Sequence, residues 1–193
     1  MIPEYSRERY YPDRHRLDIR NGIEVEKRVL GIRVHELRYF WACRELSFLK
    51  PGAKVVDLGC GCGYGTEMLG IAGYDAYGVD RDPAAIAYAK VRYSSLASFD
   101  CLDLETWDAP SEAAVCFDVL EHLDDPEALV KRLNRPLLVS VPANDPPSHN
   151  PFHKQQFDHR SLYELLRHYY ERIEITHQSI GKGDPIAWLA VAR

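Results

Sequence analysis

The residues of this sequence best suited to chemistry lie in one short run, VVDLGCGCGYGT, at residues 55–66. Glycines occupy every second position from Gly59 to Gly65, and Asp57 comes two positions before the first of them. Glycines let a ligand approach the backbone of a turn closely, because they carry no side chain. A second acidic residue, Asp80, ends the next apolar run, YDAYGVD. The pattern therefore indicates a small-molecule site with two carboxylates beside a glycine turn.

The spacing of these glycines excludes the common phosphate-binding turns. The dinucleotide fingerprint G-x-G-x-x-G is absent in every register, and no lysine follows as a G-x-x-x-x-G-K-[ST] loop requires. A carboxylate at Asp57 would repel a pyrophosphate but attract an ammonium or a sulfonium. A carboxylate at Asp80 can accept hydrogen bonds from both hydroxyls of a ribose. A nucleoside with a cationic tail and no phosphate fits both acids, and S-adenosylmethionine has this chemistry.

Further segments resemble, in order along the chain, the motifs of class I S-adenosylmethionine-dependent methyltransferases. They are YGVDRDP, FDCLDLE, CFDVLEHLDDPEAL, SVPAND and NPFHKQQFDHRSLYELL, with ERYYPD and HELRYFWA before the glycine turn. The segments outside the central motifs are similar to a branch that includes ubiquinone-type and cell-surface-sugar methyltransferases. The resemblance implies S-adenosylmethionine as cofactor, S-adenosylhomocysteine as product, and in-line methyl transfer to an oxygen or nitrogen atom of a small-molecule acceptor. A methyltransferase-like binding protein without turnover is the alternative.

The resemblance also implies roles for individual residues of the cofactor site. The glycine turn would lie under the methionine part of the cofactor, and Asp57 would hold its ammonium. Asp80 would bind the ribose, with a helix N-cap as its alternative role, and Arg81 would cover the adenine edge. Asp103 would accept from the adenine amine, with Asp100 as the rival acid. The predicted cofactor residues are Asp57, Gly59, Cys60, Gly61, Gly63, Tyr64, Asp80, Arg81, Asp103, Leu104, Phe117 and Asp118.

The acceptor side is expected to use histidines and the N-terminal segment. His153 and His122 are candidates for a general base, because imidazole titrates near neutral pH; holding a loop or packing is the alternative role. The residues expected to cap the cofactor or the acceptor are Arg9, Tyr10, Arg38, Tyr39 and His149. No metal is expected, although Asp118, Glu121 and His122, at i, i+3 and i+4, would place two oxygens and a nitrogen on one helix face.

Apolar periodicity outlines the elements that must position these residues. Helical spacing over about residues 22–49 predicts one long helix or two shorter ones, ended by Pro51 and Gly52. Seven strand patterns then alternate with helical ones, which predicts an α/β fold with a mostly parallel, doubly wound Rossmann-like sheet. The segments ERIEITHQS and AWLAVAR are joined too briefly for a parallel crossover, so the last strand is predicted to be antiparallel. We expect a single domain over 1–193, with a helical cap at 1–50, a core at 51–193 and an acceptor-side loop at 142–159.

Length, composition and charge limit the partners of this chain. Its 193 residues are 46% hydrophobic and 27% charged, as in a globular protein, and the net charge of −5 argues against a general nucleic-acid binder. Residues 1–16 are too charged for a signal peptide, and no apolar run approaches the roughly 20 residues of a membrane span. The five cysteines are expected to be reduced thiols of a cytoplasmic protein. The Cys60–Cys62 pair lacks the second ligand pair of a zinc site. A monomer or a homodimer is expected.

Overall fold

The computed structural model describes residues 23–143, 145–148, 150–179 and 183–193, with side chains from residue 34 onward. The N-terminal helical pattern is one helix, α1 (Ile23–Glu45), rather than two. The chain then forms turns before the first strand, closed by hydrogen bonds such as that from the Leu49 N–H to the Leu46 carbonyl at 2.9 Å. The predicted helix therefore ends a few residues before Pro51.

Strands and helices alternate after α1, as the sequence predicts. The strands are β1 (Lys54–Leu58), β2 (Asp75–Asp80), β3 (Ala97–Cys101), β4 (Ala113–Phe117), β5 (Leu137–Pro142), β6 (Ile173–Ser179) and β7 (Pro185–Ala192). The helices between them are α2 (Tyr64–Ile71), α3 (Pro83–Tyr93), α4 (Pro126–Arg132) and α5 (His159–Arg167). A short 3-10 turn, Leu120–His122, follows β4. Of the predicted acceptor-side loop at 142–159, Pro142 ends β5 and His159 begins α5, and the described residues between them form neither helix nor strand.

Acidic N-caps determine where three of the helices begin. The Asp82 carboxylate accepts hydrogen bonds from two backbone N–H groups in the first turn of α3, at 2.9 and 3.4 Å. Pro83 takes the first helical position, where a backbone N–H is not needed. Asp125 and Asp158 cap α4 and α5 in the same way. Because Asp82 caps α3, the alternative role of Asp80 as an N-cap is wrong.

The seven strands form one sheet in the order β3-β2-β1-β4-β5-β7-β6. Strands β1 to β5 pair in parallel, and β7 runs antiparallel to both β5 and β6. The predicted doubly wound, mostly parallel sheet with an antiparallel last strand is therefore confirmed. The strand order reverses between β1 and β4, and open α/β sheets bind their ligands at the carboxyl ends of the strands at such a point.

Helices cover both faces of the sheet. On one face α1 and α2 pack on β1, β4 and β5 through residues such as Ala42, Leu69 and Val115, and α3 packs beside them on β3. On the other face α4 and α5 pack through Leu129 and Leu162. Strand β4 lies in the middle of the sheet, and all five of its residues are buried. At the end of β4, the ring of Phe117 contacts Tyr39 and Trp41 of helix α1 above the sheet.

A glycine in α2 is required by close packing, and this gives a stability prediction. A Cβ atom at Gly70 would lie 2.0 Å from the carbonyl oxygen of Leu96, which is backbone and cannot turn away. We expect Gly70→Ala to lower the free energy of unfolding by about 1–3 kcal/mol in urea denaturation, despite the better helix propensity of alanine. Ile71→Ala, on the same helix and 67% exposed, is the control with little change. Equal stability of the two variants would contradict the packing described.

Candidate functional site

A cavity of about 260 Å³ opens at the carboxyl edge of the sheet, where the strand order reverses. Its wall comes from the segments that follow β1, β2, β3 and β4, with one residue from the loop before α5. The lining residues are Gly59, Gly61, Asp80, Arg81, Asp82, Ala85, Asp103, Leu104, Glu105, Asp118, Val119, His122, Leu123 and Phe152. Segments far apart in sequence thus meet at the edge where the topology predicts a ligand.

The structure divides the predicted cofactor residues into two groups. Those that line the cavity are Gly59, Gly61, Asp80, Arg81, Asp103, Leu104 and Asp118. Those that are not part of its lining are Asp57, Cys60, Gly63, Tyr64 and Phe117. The predicted cap residues Arg9 and Tyr10, and the predicted loop residue His149, lie outside the described residues.

The glycine turn is tight because other elements pack against it. Gly63 has a φ of +87°, and a Cβ atom there would lie 2.7 Å from the Cβ of Ala89 in α3. Gly59 has a φ of +73°, and its Cβ would lie 2.3 Å from a methyl group of Val119. Residues other than glycine rarely adopt this backbone conformation. Gly63 therefore serves the packing of α3, whereas Gly59 and Gly61 form the cavity wall.

Asp80, at the end of β2, is held by backbone N–H groups on both sides. Its Oδ2 accepts from Gly61 N–H and its Oδ1 from Asp82 N–H, each at 2.8 Å. Burial raises the pKa of this carboxyl, and the two N–H groups oppose that effect. Each carboxylate oxygen has further lone-pair capacity. Asp80 is therefore a fixed acceptor in the cavity wall that can still bind two ligand hydroxyls.

Of the two rival acids, Asp100 within β3 and Asp103 just after it, Asp103 lines the cavity. The Asp100 carboxylate is exposed, where it accepts from the Tyr77 hydroxyl at 3.0 Å and pairs with Lys90 at 3.2 Å. Asp103 lines the cavity, and its Oδ1 accepts from the backbone N–H of Glu105 at 2.9 Å. Asp103 is therefore placed for ligand contact and Asp100 is not.

Six lining residues were not among the predicted site residues, namely Asp82, Ala85, Glu105, Val119, Leu123 and Phe152. All of them except Ala85 stand within the segments YGVDRDP, FDCLDLE, CFDVLEHLDDPEAL and NPFH that carry the resemblance. Spacing alone did not show which side chains of those segments face the cavity. Val119 and Leu123 supply apolar surface, and Phe152 supplies an aromatic ring that is 51% exposed.

Asp57 is buried beneath the turn and is bound by two hydroxyl groups. The Tyr39 hydroxyl lies 3.1 Å from both of its carboxylate oxygens, and the Thr66 hydroxyl donates to Oδ2 at 2.7 Å. Burial raises the pKa of Asp57 to about 7, although the hydrogen bonds from Thr66 and Tyr39 lower it. The ring of Tyr39 lies over Gly65, where a Cβ atom would come within 1.9 Å of it. Only glycine at position 65 lets Tyr39 reach the carboxylate.

Asp118, directly after β4, forms a largely buried ion pair with Arg38 of α1. Its carboxylate accepts from Arg38 and, at 2.8 Å, from the Ser140 hydroxyl. Arg38 is 4% exposed and also donates to Gln178 at 2.8 Å. Burial alone would raise the pKa of Asp118, but the guanidinium beside it lowers that pKa well below the usual range. Asp118 has a φ of 53° and is the non-glycine residue with positive φ in the described part of the chain.

The alternative of a metal-ligand face at Asp118, Glu121 and His122 does not form in this structure. Residues 118–122 do not form one regular helix, because only Leu120–His122 make a 3-10 turn, and the Asp118 carboxylate is taken up by Arg38. Instead Glu121, His122 and His153 bring one ligand atom each within 4.8 Å of one another. Cys60 and Cys62 belong to no such group within the described ranges.

The two candidate bases differ in their hydrogen bonds. His153 is 4% exposed; its Nδ1 donates to the Asp145 carbonyl at 2.7 Å, and its Nε2 accepts from the Asn150 amide at 2.9 Å. His122 lines the cavity, and its Nδ1 donates to the Phe152 carbonyl at 2.9 Å, which leaves the lone pair of the neutral ring on Nε2. Burial lowers the pKa of His122. His122 is thus a neutral imidazole in the cavity wall, and His153 holds the loop.

No helix in the described ranges is both long enough and apolar enough to cross a membrane.

Comparison with known proteins identifies similar chains. A family model described as "Methyltransferase domain" matches residues 34–191. A protein of Mycolicibacterium smegmatis named "Probable S-adenosylmethionine-dependent methyltransferase" is 32% identical over 149 residues, which is 69% of this chain and 56% of that protein. A ubiquinone biosynthesis O-methyltransferase of Pseudomonas syringae is 26% identical over 111 residues, 53% of this chain and 46% of that protein. This chain therefore spans about half the length of the curated relatives it matches.

Solved structures share the fold at lower identity. The crystal structure of magnesium protoporphyrin IX methyltransferase from Synechocystis with bound S-adenosylhomocysteine superimposes with a TM-score of 0.73 at 20% identity, covering 93% of this chain and 91% of that one. A methyltransferase in complex with the Trm112 activator of Haloferax volcanii gives a TM-score of 0.69 at 16% identity, covering 86% and 93%.

The buried Arg38–Asp118 pair gives a stability prediction. Arg38→Met would leave the Asp118 carboxylate buried without its cation, so we expect the free energy of unfolding at pH 7 to fall by about 3–5 kcal/mol in urea denaturation. Lys90→Met removes the cation of an exposed pair and is the matched control, with a loss of at most about 1 kcal/mol. Similar losses in the two variants would show that Arg38 does not stabilise a buried charge.

Proposed function

This chain belongs to the methyltransferase-domain family, whose model matches residues 34–191, and on that premise we propose its activity. It is an S-adenosylmethionine-dependent methyltransferase that acts on an oxygen or nitrogen atom of a small-molecule acceptor. The observation that carries the proposal is the cavity at the strand reversal, with the carboxylates of Asp80 and Asp103 in its wall. The relatives named for ubiquinone biosynthesis and protoporphyrin methylation support a small-molecule acceptor.

The lining residues fit an adenosine with a cationic tail. Asp80 would bind the two ribose hydroxyls, because backbone N–H groups already fix its carboxylate. Asp103 would accept from the adenine amine, with Leu104 and Leu123 as apolar surface beside the ring. Acids outnumber bases in the wall, which favours a sulfonium over a phosphate. The cofactor supplies an activated methyl group on positively charged sulfur, so the protein has mainly to align the acceptor and to exclude water.

His122 would take the acceptor proton. Its ring is neutral at physiological pH because burial lowers its pKa, and its lone pair lies on Nε2. A neutral imidazole within reach of a bound hydroxyl is a suitable general base. His153 would act through the loop instead, because hydrogen bonds to Asp145 and Asn150 engage both of its ring nitrogens.

Cofactor binding provides the first test. We expect Asp80→Asn to weaken binding of S-adenosylmethionine and S-adenosylhomocysteine about 10- to 100-fold in calorimetry, since hydrogen bonds to a charged acceptor contribute about 1.5–3 kcal/mol. Asp100→Asn, the exposed acid of β3, is the matched control with unchanged affinity, and NAD is the control ligand without binding. If the folded wild-type protein binds neither adenosyl ligand, the proposed function is wrong.

Turnover tests the role of His122. We expect His122→Gln to lower kcat about 10²- to 10⁴-fold with a hydroxyl acceptor, while the affinity for S-adenosylhomocysteine stays within twofold. The measurement is S-adenosylhomocysteine release with the best acceptor from a panel of phenols, sugars and amines. His159→Gln, an exposed histidine at the start of α5, serves as control. An unchanged kcat would remove His122 from the mechanism, and no release with any acceptor would favour a binding protein without turnover.

A further inference from the structure

Helix α1 contacts the two acids at the strand reversal through consecutive residues. Arg38 pairs with Asp118 at the end of β4, and Tyr39 binds Asp57 of β1 through its hydroxyl. Both contacts are buried, since Arg38 is 4% and Tyr39 6% exposed. A helix from the start of the chain thus completes the environment of a carboxylate that belongs to the glycine turn.

The ring of Tyr39 is fixed by packing on several sides. It makes edge-on contacts with Phe117, at 5.1 Å between ring centroids, and with Tyr64, at 5.9 Å. Beneath it lies Gly65, whose missing side chain gives the ring its place. The position of the hydroxyl on Asp57 is therefore set by the docking of α1.

We propose that Tyr39 is a positioning residue for Asp57. The Tyr39 hydroxyl keeps the Asp57 carboxylate in the ionised form that attracts the cofactor's ammonium, so that α1 sets the pH range of cofactor binding. The proposal rests on the proposed function, because it assumes a ligand with an ammonium group. Asp57 does not line the cavity, so it acts on the ligand through its charge. A charge in a buried site acts strongly at short range, and a protonated Asp57 would lose this effect.

The balance of effects on Asp57 makes its ionisation sensitive to single hydroxyl groups. Burial raises its pKa to about 7, and the charge of Asp80 raises it further. The hydroxyls of Thr66 and Tyr39 oppose both, because a hydrogen bond donated to a carboxylate favours its charged form. Removal of the Tyr39 hydroxyl therefore raises the pKa of Asp57 and moves its ionisation to higher pH.

The thiols and the phenol that face Asp57 do not change charge in this range. Cys60 of the glycine turn and Cys116 of β4 are thiols whose pKa burial raises well above the usual value. Burial likewise raises the pKa of the Tyr39 phenol, so it stays a neutral donor. Near neutral pH the charge beneath the glycine turn is therefore carried by the Asp57 carboxylate, with the carboxylate of Asp80 nearby.

The test is the pH profile of S-adenosylhomocysteine affinity in calorimetry from about pH 5.5 to 9. In the wild type the affinity should rise through about pH 7 as Asp57 ionises. In Tyr39→Phe the rising limb should move up by about one pH unit, with a loss of about three- to tenfold at pH 7. Any falling limb from deprotonation of the ligand's own amine should not move.

A matched ligand and a matched variant separate this role from a merely structural one. 5′-Methylthioadenosine keeps the adenosine and the thioether but has no ammonium, so its affinity should not follow the rising limb in either protein. Tyr74→Phe removes a hydroxyl that, within the described residues, donates to the Cys43 carbonyl at 3.5 Å, and should leave the profile unchanged. A Tyr39→Phe profile that superimposes on the wild type, or an equal loss for both ligands at all pH values, overturns the proposal.

A second measurement does not depend on any ligand. The carboxyl ¹³C resonance of Asp57, assigned through Asp57→Asn, reports its titration in the free protein by NMR. We expect the midpoint to rise in Tyr39→Phe, and an unchanged midpoint overturns the proposal even if affinity falls. Absence of S-adenosylhomocysteine binding by the folded wild type would instead refute the proposed function, so the two failures are distinguishable.

Discussion

The structure depends on the satisfaction of two buried carboxylates at the carboxyl ends of its central strands. Asp57 and Asp118 lie on either side of the strand reversal, and an unpaired charge in such a place costs several kcal/mol. Helix α1 satisfies both, with Arg38 on Asp118 and Tyr39 on Asp57. The N-terminal helix is therefore part of the site, and the cavity edge has its present form only with α1 docked on the sheet.

The acids around the cavity differ in what satisfies them, and this difference separates their functions. Asp80 is bound by backbone N–H groups, which are fixed by the turn and by the start of α3. Asp118 is bound by a guanidinium, so it stays ionised and its charge is balanced within the protein. Within the described residues, the side-chain partners of Asp57 are the hydroxyl groups of Tyr39 and Thr66, which carry no charge. The three acids thus offer a hydrogen-bond acceptor, a structural anchor and a titratable charge.

The hydrogen bonds of the two histidines near the cavity give them different roles, one suited to proton transfer and the other to holding a loop. Their rings lie 4.8 Å apart, and each matches a segment of the family resemblance. The bonds to Asp145 and Asn150 engage both nitrogens of His153 and order the loop before α5. The hydrogen bond to the Phe152 carbonyl sets the tautomer of His122 in the cavity wall. Burial alone would not have separated them, because both rings are largely enclosed.

The sequence by itself determined the features that arise from local patterns. Alternating periodicity predicted the doubly wound sheet, the short final connection predicted the antiparallel strand, and the glycine spacing with Asp80 predicted a small-molecule site at the edge where the cavity opens. Only the tertiary structure decided which side chains meet there. Arg38 donates to Gln178, 140 positions away in sequence, Asp103 rather than Asp100 lines the cavity, and the Asp118 carboxylate pairs with Arg38 of α1. Local sequence patterns determine which helix or strand a residue belongs to. The direction and the partner of its side chain depend on how elements from distant parts of the chain pack together.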